Sequence, residues 1–192
     1  MINSFETTTN YSYTNNCWSV YLIFDQCFSL MYSYPPYPNF PILASGDVIL
    51  RQVTTADAKE IIDISYYDGV QATTLNQAIE MHERINQDYL QGNSIHWIIV
   101  DTQSAAIVGT CGYYRGFADN TGELGYLLKP FFVGKGYMTK ALELVISFGK
   151  NTIGLKKVIA ITEIENIKSQ NVLKRLGFTK QDEHAEYITY AY

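Results

Sequence analysis

The segment from Leu127 to Thr139 places the strongest constraint on how this chain can fold. Its sequence, LLKPFFVGKGYMT, predicts a strand end, a turn with two glycines, and an amphipathic helix that begins at or just after Gly136. Such a junction directs unpaired N–H groups and the positive end of the helix dipole at one point, which suits a phosphate or pyrophosphate. Glycine suits the turn because it adopts positive φ at little cost and lets a ligand approach the backbone. An ordinary strand-to-helix loop is the alternative.

The composition indicates a globular protein. Of the 192 residues, 47% are hydrophobic and 17% are charged, which predicts one well-buried domain with room for an extension. The 14 Lys and Arg residues and 19 Asp and Glu residues give a net charge of -5. We therefore expect no nucleic-acid partner, because nonspecific nucleic-acid binding requires clustered positive charge.

Cysteine and histidine are few and widely spaced. The cysteines are Cys17, Cys27 and Cys111, and the histidines are His82, His96 and His184. No pair has the spacing of a metal site, and an odd number of cysteines suggests free thiols in a reducing compartment. We expect a cytoplasmic protein that holds no metal.

Residues 1–41 differ from the rest of the chain, because no Lys or Arg occurs before Arg51. The apolar run Cys17–Tyr32 contains Asp25 and is shorter than the roughly 20 residues of a membrane-spanning helix. It also lacks the positive start of a secretory signal. A mobile arm, a partner-binding helix and a non-native extension before Met31 stay open. The proline-rich stretch 34–41 is expected to be an extended connector that ends this region.

From Asp47 onwards, apolar periodicity and turn residues predict alternating strands and helices. The predicted strands are 48–53, 95–100, 106–114, 122–128, 157–162, 178–179 and 187–190. The predicted helices run from Thr54 to Tyr67, from Thr73 or Thr74 to Leu90, from Gly136 to Gly149 and from Asn166 to Gly177. This order predicts a mixed sheet with helices on both faces.

Three segments, in this order, resemble the GNAT superfamily of acyl-CoA-dependent N-acetyltransferases, and in particular its ribosomal-protein-alanine branch. They are Val48-Ile-Leu-Arg51, the stretch from Gly122 through Gly134 to Thr139, and Asn166-Ile-Lys-Ser169 continuing to Gly177-Phe178. The resemblance covers residues 42–192, so we expect an acetyltransferase domain there and an extension over residues 1–41. It implies an α/β (α+β) fold with a mostly antiparallel twisted sheet and a splayed pair of central strands.

The resemblance also implies where acetyl-CoA binds. The pyrophosphate would be held by the N–H groups of Val133, Gly134, Lys135, Gly136, Tyr137, Met138 and Thr139. The pantetheine arm would lie between strands 122–128 and 157–162, bonded by backbone groups of Leu127 and Leu128, where an N–H would steady the oxyanion. The family often has Gln or Arg three residues before the first glycine, whereas this chain has Phe131.

Glu123 is the candidate catalytic carboxylate. An alkyl ammonium is almost fully protonated at neutral pH, so a group that takes up its proton helps the attack on a thioester. Strand alternation places Glu123 on the same face as Gly125 and Leu127, where the missing side chain of Gly125 would leave room for a substrate. A solvent-facing or ion-paired carboxylate is the alternative.

Two residues near the start of the last helix complete the predicted site. Asn166 and Ser169 suit the cap and first turn of a helix, and the resemblance adds contacts from Asn166 to pantetheine and from Ser169 to the cofactor sulfur. The tyrosine that many members use as general acid is replaced by Leu173, and a glutamate on the preceding strand by Ile161. Ser169, a water or Tyr126 would then supply the proton.

Fold analogy alone places five further residues around the acceptor: Tyr66, Tyr67, Glu80, His82 and Trp97. Cys111 on a strand is interpreted as a core residue. We predict acetyl transfer from acetyl-CoA to a primary amine, either a protein N-terminus or a small molecule, by a monomer or homodimer without a membrane partner. The alternatives are a noncatalytic acyl-CoA-binding or interaction module and a peripheral membrane protein anchored by Cys17–Tyr32.

Overall fold

A computed structural model describes residues 33–192. The strands are β1 (Leu43–Ser45), β2 (Val48–Gln52), β3 (Tyr66–Tyr67), β4 (Val70–Gln71), β5 (Ile95–Asp101), β6 (Ile107–Tyr114), β7 (Thr121–Leu128), β8 (Lys157–Glu163), β9 (Thr179–His184) and β10 (Tyr187–Ala191). The helices are α1 (Leu75–Leu90), α2 (Tyr137–Phe148) and α3 (Ile167–Arg175), with a wider π turn at Gly149–Ile153 after α2.

Eight strands form one sheet in the order β1-β2-β5-β6-β7-β8-β10-β9. Every neighbouring pair is antiparallel except β7 and β8, which are parallel. This confirms the predicted mixed, mostly antiparallel sheet. The sequence predicted neither β1, which turns into β2 at Gly46 with φ 58°, nor the full length of β9.

The parallel pair separates before either strand ends. Its register runs from Thr121 opposite Lys157 to Leu124 opposite Ala160, while β7 continues to Leu128 and β8 to Glu163. Beyond Leu124, the β7 backbone continues to pair with β6 on its other side, and β8 continues along β10. The predicted splay of central strands is therefore present.

The two faces of the sheet carry different layers. The main core lies on the face covered by α2, where Trp97, Cys111, Leu142 and Val145 are fully buried. A smaller cluster of Val53, Ile61, Ile64, Ile98 and Ile107 lies apart from it. Alternation along β5 explains this division, because Trp97 and Ile98 point to opposite faces.

The predicted helix over Thr54–Tyr67 is wrong. This segment forms two short 3-10 turns, Thr55–Asp57 and Ile62–Ile64, followed by the hairpin β3–β4. Asp68 and Gly69 have φ values of 48° and 78°, as in a tight Asp-Gly hairpin turn. β-branched and aromatic residues favour the extended form, and burial of Ile61 and Ile64 against the sheet holds the turns in place.

The other predicted helices are present. Thr74 caps α1 by accepting a hydrogen bond from the Gln77 N–H, and the chain leaves α1 through Gly92 at φ 80°. The hairpin of β5 and β6 is also as predicted. Within residues 33–192, none of the helices combines the length and apolar character needed to span a membrane.

The proline-rich stretch contacts the folded domain rather than only leading into it. The Trp97 indole N–H donates to the Pro41 carbonyl at 2.8 Å, and the Tyr89 hydroxyl accepts from the Tyr37 N–H at 2.8 Å. The Phe40 ring packs against the rings of Tyr89 and Trp97. The domain boundary at residue 41 stays a prediction, and the interpretations of Cys17–Tyr32 and of Met31 as a start lie outside the described residues.

Candidate functional site

The loop between β7 and α2 contains a run of backbone N–H groups that are free to bind a ligand. Gly134 and Gly136 have φ values of 81° and 87°, a conformation that glycine adopts readily. The Lys140 N–H bonds to the Gly136 carbonyl at 3.3 Å, and the Val133 N–H bonds to Pro130 at 3.3 Å. Within residues 33–192, the N–H groups between these two bonds, from Gly134 to Thr139, have no backbone carbonyl partner, as expected at a helix start. A Cβ on either glycine would meet nothing within 4 Å, so the space beside them is open.

Two cations lie beside these donors. Arg175, at the end of α3, donates from Nη1 to the Thr139 hydroxyl at 3.1 Å. The Lys135 ammonium lies 3.9 Å from the centre of the Phe131 ring, a cation–π contact. Phe131, 76% exposed, thus holds a cation where the resemblance leads us to expect a Gln or Arg side chain. Sequence reasoning missed Arg175, because only packing of α3 against α2 brings it to this loop.

The splay opens next to this loop. From Gly125 to Leu128, the β7 edge that faces β8 makes no ladder bonds to it, so its backbone groups can pair with an extended ligand. Leu127 and Ile161 are both exposed there. Asn166 caps α3, because its Oδ1 accepts the Ser169 N–H at 3.0 Å. This confirms the predicted capping role.

A hydrogen bond between two hydroxyls connects β7 to α3, the helix that follows β8. Tyr126, on β7, lies with its hydroxyl oxygen 2.8 Å from Oγ of Ser169, on α3. Burial raises the pKa of Tyr126 to about 12, so the phenol keeps its proton at neutral pH. Leu173 is fully buried in the core and offers no polar atom. Of the proton donors considered from the sequence, the structure brings Tyr126 and Ser169 together.

A cavity of about 760 Å³ reaches the same part of β7, and we call it the large cavity. Its wall includes Glu123, Gly125 and Leu127 of β7, together with Tyr66, Tyr67, Asp68, His82, Asp88, His96, Tyr114 and Arg115. Three of the five residues placed by fold analogy, Tyr66, Tyr67 and His82, therefore line a cavity.

The placement of the other two residues, Trp97 and Glu80, beside the acceptor was wrong. Trp97 is fully buried in the main core, because strand alternation turns it to the opposite face from its neighbour His96. Glu80 is an exposed residue of α1 and is not part of the cavity wall.

Glu123 both faces a cavity and forms an ion pair, so the two environments considered from the sequence are both present. It lines the large cavity on the same side as Gly125 and Leu127, as alternation predicted, and it forms an ion pair with Arg115. The expected space beside Gly125 is not open, because a Cβ there would lie 2.6 Å from the Tyr114 ring. The catalytic role of Glu123 stays a prediction.

Two neutral histidines line the same cavity. Burial lowers the pKa of His82, and burial lowers the pKa of His96 to about 3, with a smaller contribution from His82. Nδ1 of His96 is buried and, among residues 33–192, has no hydrogen-bond partner. Sequence reasoning did not select His96, although its position one residue before the apolar Trp97 on a strand places it on the opposite face.

Cys111 is fully buried, and burial raises the pKa of its thiol. It is a core residue, as interpreted from the sequence. Within residues 33–192, His, Cys, Asp and Glu side chains form no group of three that could hold a metal ion.

The model of the GNAT acetyltransferase domain matches residues 47–179. The chain belongs to the GNAT acetyltransferase family. The uncharacterized N-acetyltransferase YoaA of Bacillus subtilis (strain 168) is 27% identical over 157 residues, which is 78% of this chain and 89% of YoaA. The ribosomal protein uS5-alanine N-acetyltransferase of Escherichia coli (strain K12) is 28% identical over 107 residues, 54% of this chain and 55% of that enzyme.

Solved GNAT structures have the same fold. The microcin self-immunity acetyltransferase MccE, in complex with acetyl-CoA and AMP, aligns with a TM-score of 0.68 at 18% identity over 77% of this chain and 93% of MccE. These relationships identify this GNAT protein as an acetyltransferase, and they disfavour the noncatalytic module.

Proposed function

We propose that this GNAT enzyme transfers the acetyl group of acetyl-CoA to a primary amine by direct attack within a ternary complex. The observation that carries the proposal is that the β7–β8 ladder ends early, at Leu124 and Ala160. The N–H groups from Gly134 to Thr139, which have no backbone carbonyl partner within residues 33–192, then follow β7 along the chain. An extended thioester arm that leads to a pyrophosphate matches this sequence of features.

The residues at the splay suit acetyl-CoA. The N–H groups of Gly134 to Thr139 would hold the pyrophosphate, and Arg175 adds a guanidinium beside them. Val133 was included in this set, but its N–H is already bonded within the turn, so we assign it an apolar contact. Leu127 and Leu128 would bond the pantetheine through their backbone, and the Asn166 side chain retains its Nδ2 donor for a pantetheine carbonyl. MccE, solved with acetyl-CoA, supports this ligand.

The chemistry requires several proton and charge movements. Glu123, directly or through a water, takes up the proton of the acceptor ammonium, and the amine nitrogen then forms a bond to the thioester carbon. A backbone N–H near Leu127 stabilises the charge that develops on the carbonyl oxygen. As the carbon–sulfur bond breaks, the nitrogen loses its second proton to solvent and the Ser169 hydroxyl donates its proton to the sulfur. Ser169 then recovers a proton from solvent through the Tyr126 hydroxyl, which leaves an amide and free CoA.

The large cavity would receive the acceptor. It reaches β7 at Glu123 and Leu127, and Asp68, Asp88 and Glu123 outnumber its one fully charged cation, Arg115. This balance favours a cationic amine. Both a protein N-terminus and a small amine stay open, as do the cytoplasmic location and the monomeric or homodimeric state. The uS5-alanine N-acetyltransferase, a relative named for a protein acceptor, supports the first of the two acceptor classes.

Calorimetry on the purified protein tests the donor, and thiol release tests the transfer. Acetyl-CoA and CoA should both bind, and an amine panel that includes peptides with N-terminal Ala or Ser should release CoA from acetyl-CoA. A folded protein that binds neither form of the cofactor contradicts the proposal. Binding without release, across the whole panel, contradicts the transfer step alone.

A further inference from the structure

The register of the sheet fixes how far His96 lies from the splay between β7 and β8. The register pairs His96 with Gly112 on β6, and Gly112 with Gly125 on β7. Adjacent strands are about 4.8 Å apart, so the Cα atoms of His96 and Gly125 are separated by roughly 10 Å. Gly125 is the first residue of β7 beyond the parallel ladder. His96 is therefore too distant to contact the reacting nitrogen and instead lies beside atoms of the acceptor several bonds away.

The cavity wall between His96 and Gly125 is largely apolar, and the Tyr114 ring covers part of it. Gly112 and Gly125 contribute no side chains to this row, and the Tyr114 ring lies over Gly125. The same ring packs against His96 with 5.5 Å between ring centres. An acceptor that extends from the splay across Tyr114 reaches the imidazole next.

The imidazole is polar but uncharged and incompletely bonded. Because burial disfavours its charged form, it is neutral at physiological pH. Its Nδ1 has almost no accessible surface and no hydrogen-bond partner among residues 33–192, and leaving a buried polar atom unpaired is unfavourable. An acceptor in the large cavity reaches this nitrogen when the imidazole ring turns about its Cβ–Cγ bond. A ligand that supplies this bond gains affinity over one that does not.

We propose that His96 is a specificity-determining residue of the acceptor site, which hydrogen-bonds an uncharged polar group, an amide or a hydroxyl, several bonds from the reacting amine. This inference rests on the proposed function, because it assigns the large cavity to the acceptor. The favoured acceptor class is an amine with such a group, over an alkylamine of the same shape.

A small second cavity supplies the competing explanation. It has a volume of about 10 Å³ and is lined by Gln52, His82, Asn86 and His96 among others. A space of this size, whose walls are mostly apolar with a few polar side chains, is at the lower limit for one water molecule. A water fixed there would satisfy Nδ1 without any acceptor.

Two amines of equal heavy-atom number test the proposal: 4-aminobutanamide and 4-methylpentylamine. By thiol release with acetyl-CoA, the wild-type kcat/KM should favour the amide about tenfold or more, which is the effect of one buried hydrogen bond. This ratio should fall to about one in His96→Phe and be retained at least in part in His96→Gln. His184→Phe, on the exposed strand β9 and outside the cavity, should leave it unchanged. An unchanged ratio in His96→Phe overturns the proposal.

A binding measurement separates this test from that of the proposed function. In the wild-type protein with bound CoA, 4-aminobutanamide should shift the imidazole 15N signals of His96, and 4-methylpentylamine should shift them much less. Cofactor binding without turnover of any amine contradicts the proposed function, whereas the 15N shift still decides the role of His96. Signals that report an Nδ1 bonded to solvent and respond to neither amine overturn the inference.

Discussion

The hydroxyl oxygens of Tyr126 and Ser169 lie 2.8 Å apart at the point where β7 and β8 separate. Tyr126 lies on β7, the strand that would supply the N–H for the oxyanion. Ser169 lies on α3, the helix that follows β8. In the proposed mechanism, this pair delivers a proton to the leaving thiolate and recovers one from solvent.

We predict that Ser169→Ala and Tyr126→Phe each lower kcat by about tenfold to a hundredfold, because each removes one member of the proton path. The double variant should be little worse than the poorer single variant, since residues that act as one unit have non-additive effects. Steady-state kinetics measures both. Ser147→Ala, an exposed serine of α2, is the matched control. Full multiplication of the two losses would show that the hydroxyls act separately.

We predict that Glu123→Gln lowers kcat by about a hundredfold or more while the Kd for acetyl-CoA, measured by calorimetry, changes little. The amide keeps the shape of the side chain but cannot take up the proton of an ammonium. Arg115→Gln, which removes the exposed partner of the ion pair, should change kcat by less than about tenfold, because surface ion pairs contribute little. Normal turnover in Glu123→Gln would assign the carboxylate a structural role only.

We predict that Gly136→Ala weakens binding of acetyl-CoA by about tenfold or more. Its φ of 87° is unfavourable for alanine, so the start of α2 should shift and misplace the bare N–H groups. Gly46→Ala is the control, because Gly46 also has positive φ, 58°, and open space beside it but lies in the β1–β2 turn. Both variants should unfold more easily, and only Gly136→Ala should bind acetyl-CoA less tightly. Equal Kd values for the two variants would remove the loop from the cofactor site.

We predict that Phe40→Ala lowers the free energy of unfolding by about 2–4 kcal/mol, because it removes a ring packed against Tyr89 and Trp97. Phe131→Ala should change this free energy by less than about 0.5 kcal/mol, since its ring is 76% exposed. Urea unfolding distinguishes the two. A small effect of Phe40→Ala would place the domain boundary after residue 40, as expected from the sequence.

The ion pair of Asp57 predicts a pH dependence of stability. Hydrogen bonds from Arg51 at 2.8 Å, with further bonds from Thr54, lower the pKa of Asp57 to about 2. A depressed folded-state pKa stabilises the protein above the unfolded pKa, near 4, and this contribution is lost as the pH falls through about 2. Asp57→Asn should therefore cost about 2 kcal/mol at pH 7. The cost should shrink between pH 4 and pH 2 in urea titrations, and the control Asp63→Asn, at an exposed position, should change the free energy of unfolding at pH 7 by less than about 0.5 kcal/mol. A pH-independent cost would assign the loss to packing.

The resemblance and the periodic patterns predicted most of the sheet, because alternation and helix caps are local properties. Thr74 and Asn166 were identified as caps, and both cap their helices in the structure. The helix predicted over Thr54–Tyr67 was wrong, because Asp68-Gly69 forms a hairpin turn that the prediction did not use. The placement of Trp97 beside the acceptor was wrong for a different reason, since an aromatic residue on a half-buried strand can point to either face of the sheet.

By itself, the order of residues determined the paired glycines before an apolar helix, the strand alternation that turns Glu123, Gly125 and Leu127 to one side, and the family to which the chain belongs. These features depend on backbone sterics and on periods of a few residues. Only the tertiary structure decided that Tyr114 fills the space beside Gly125, that Arg175 lies beside Thr139 and that Nδ1 of His96 has no partner in the described chain. Each of these contacts joins residues from different elements, and their positions follow from how the layers pack rather than from any local pattern.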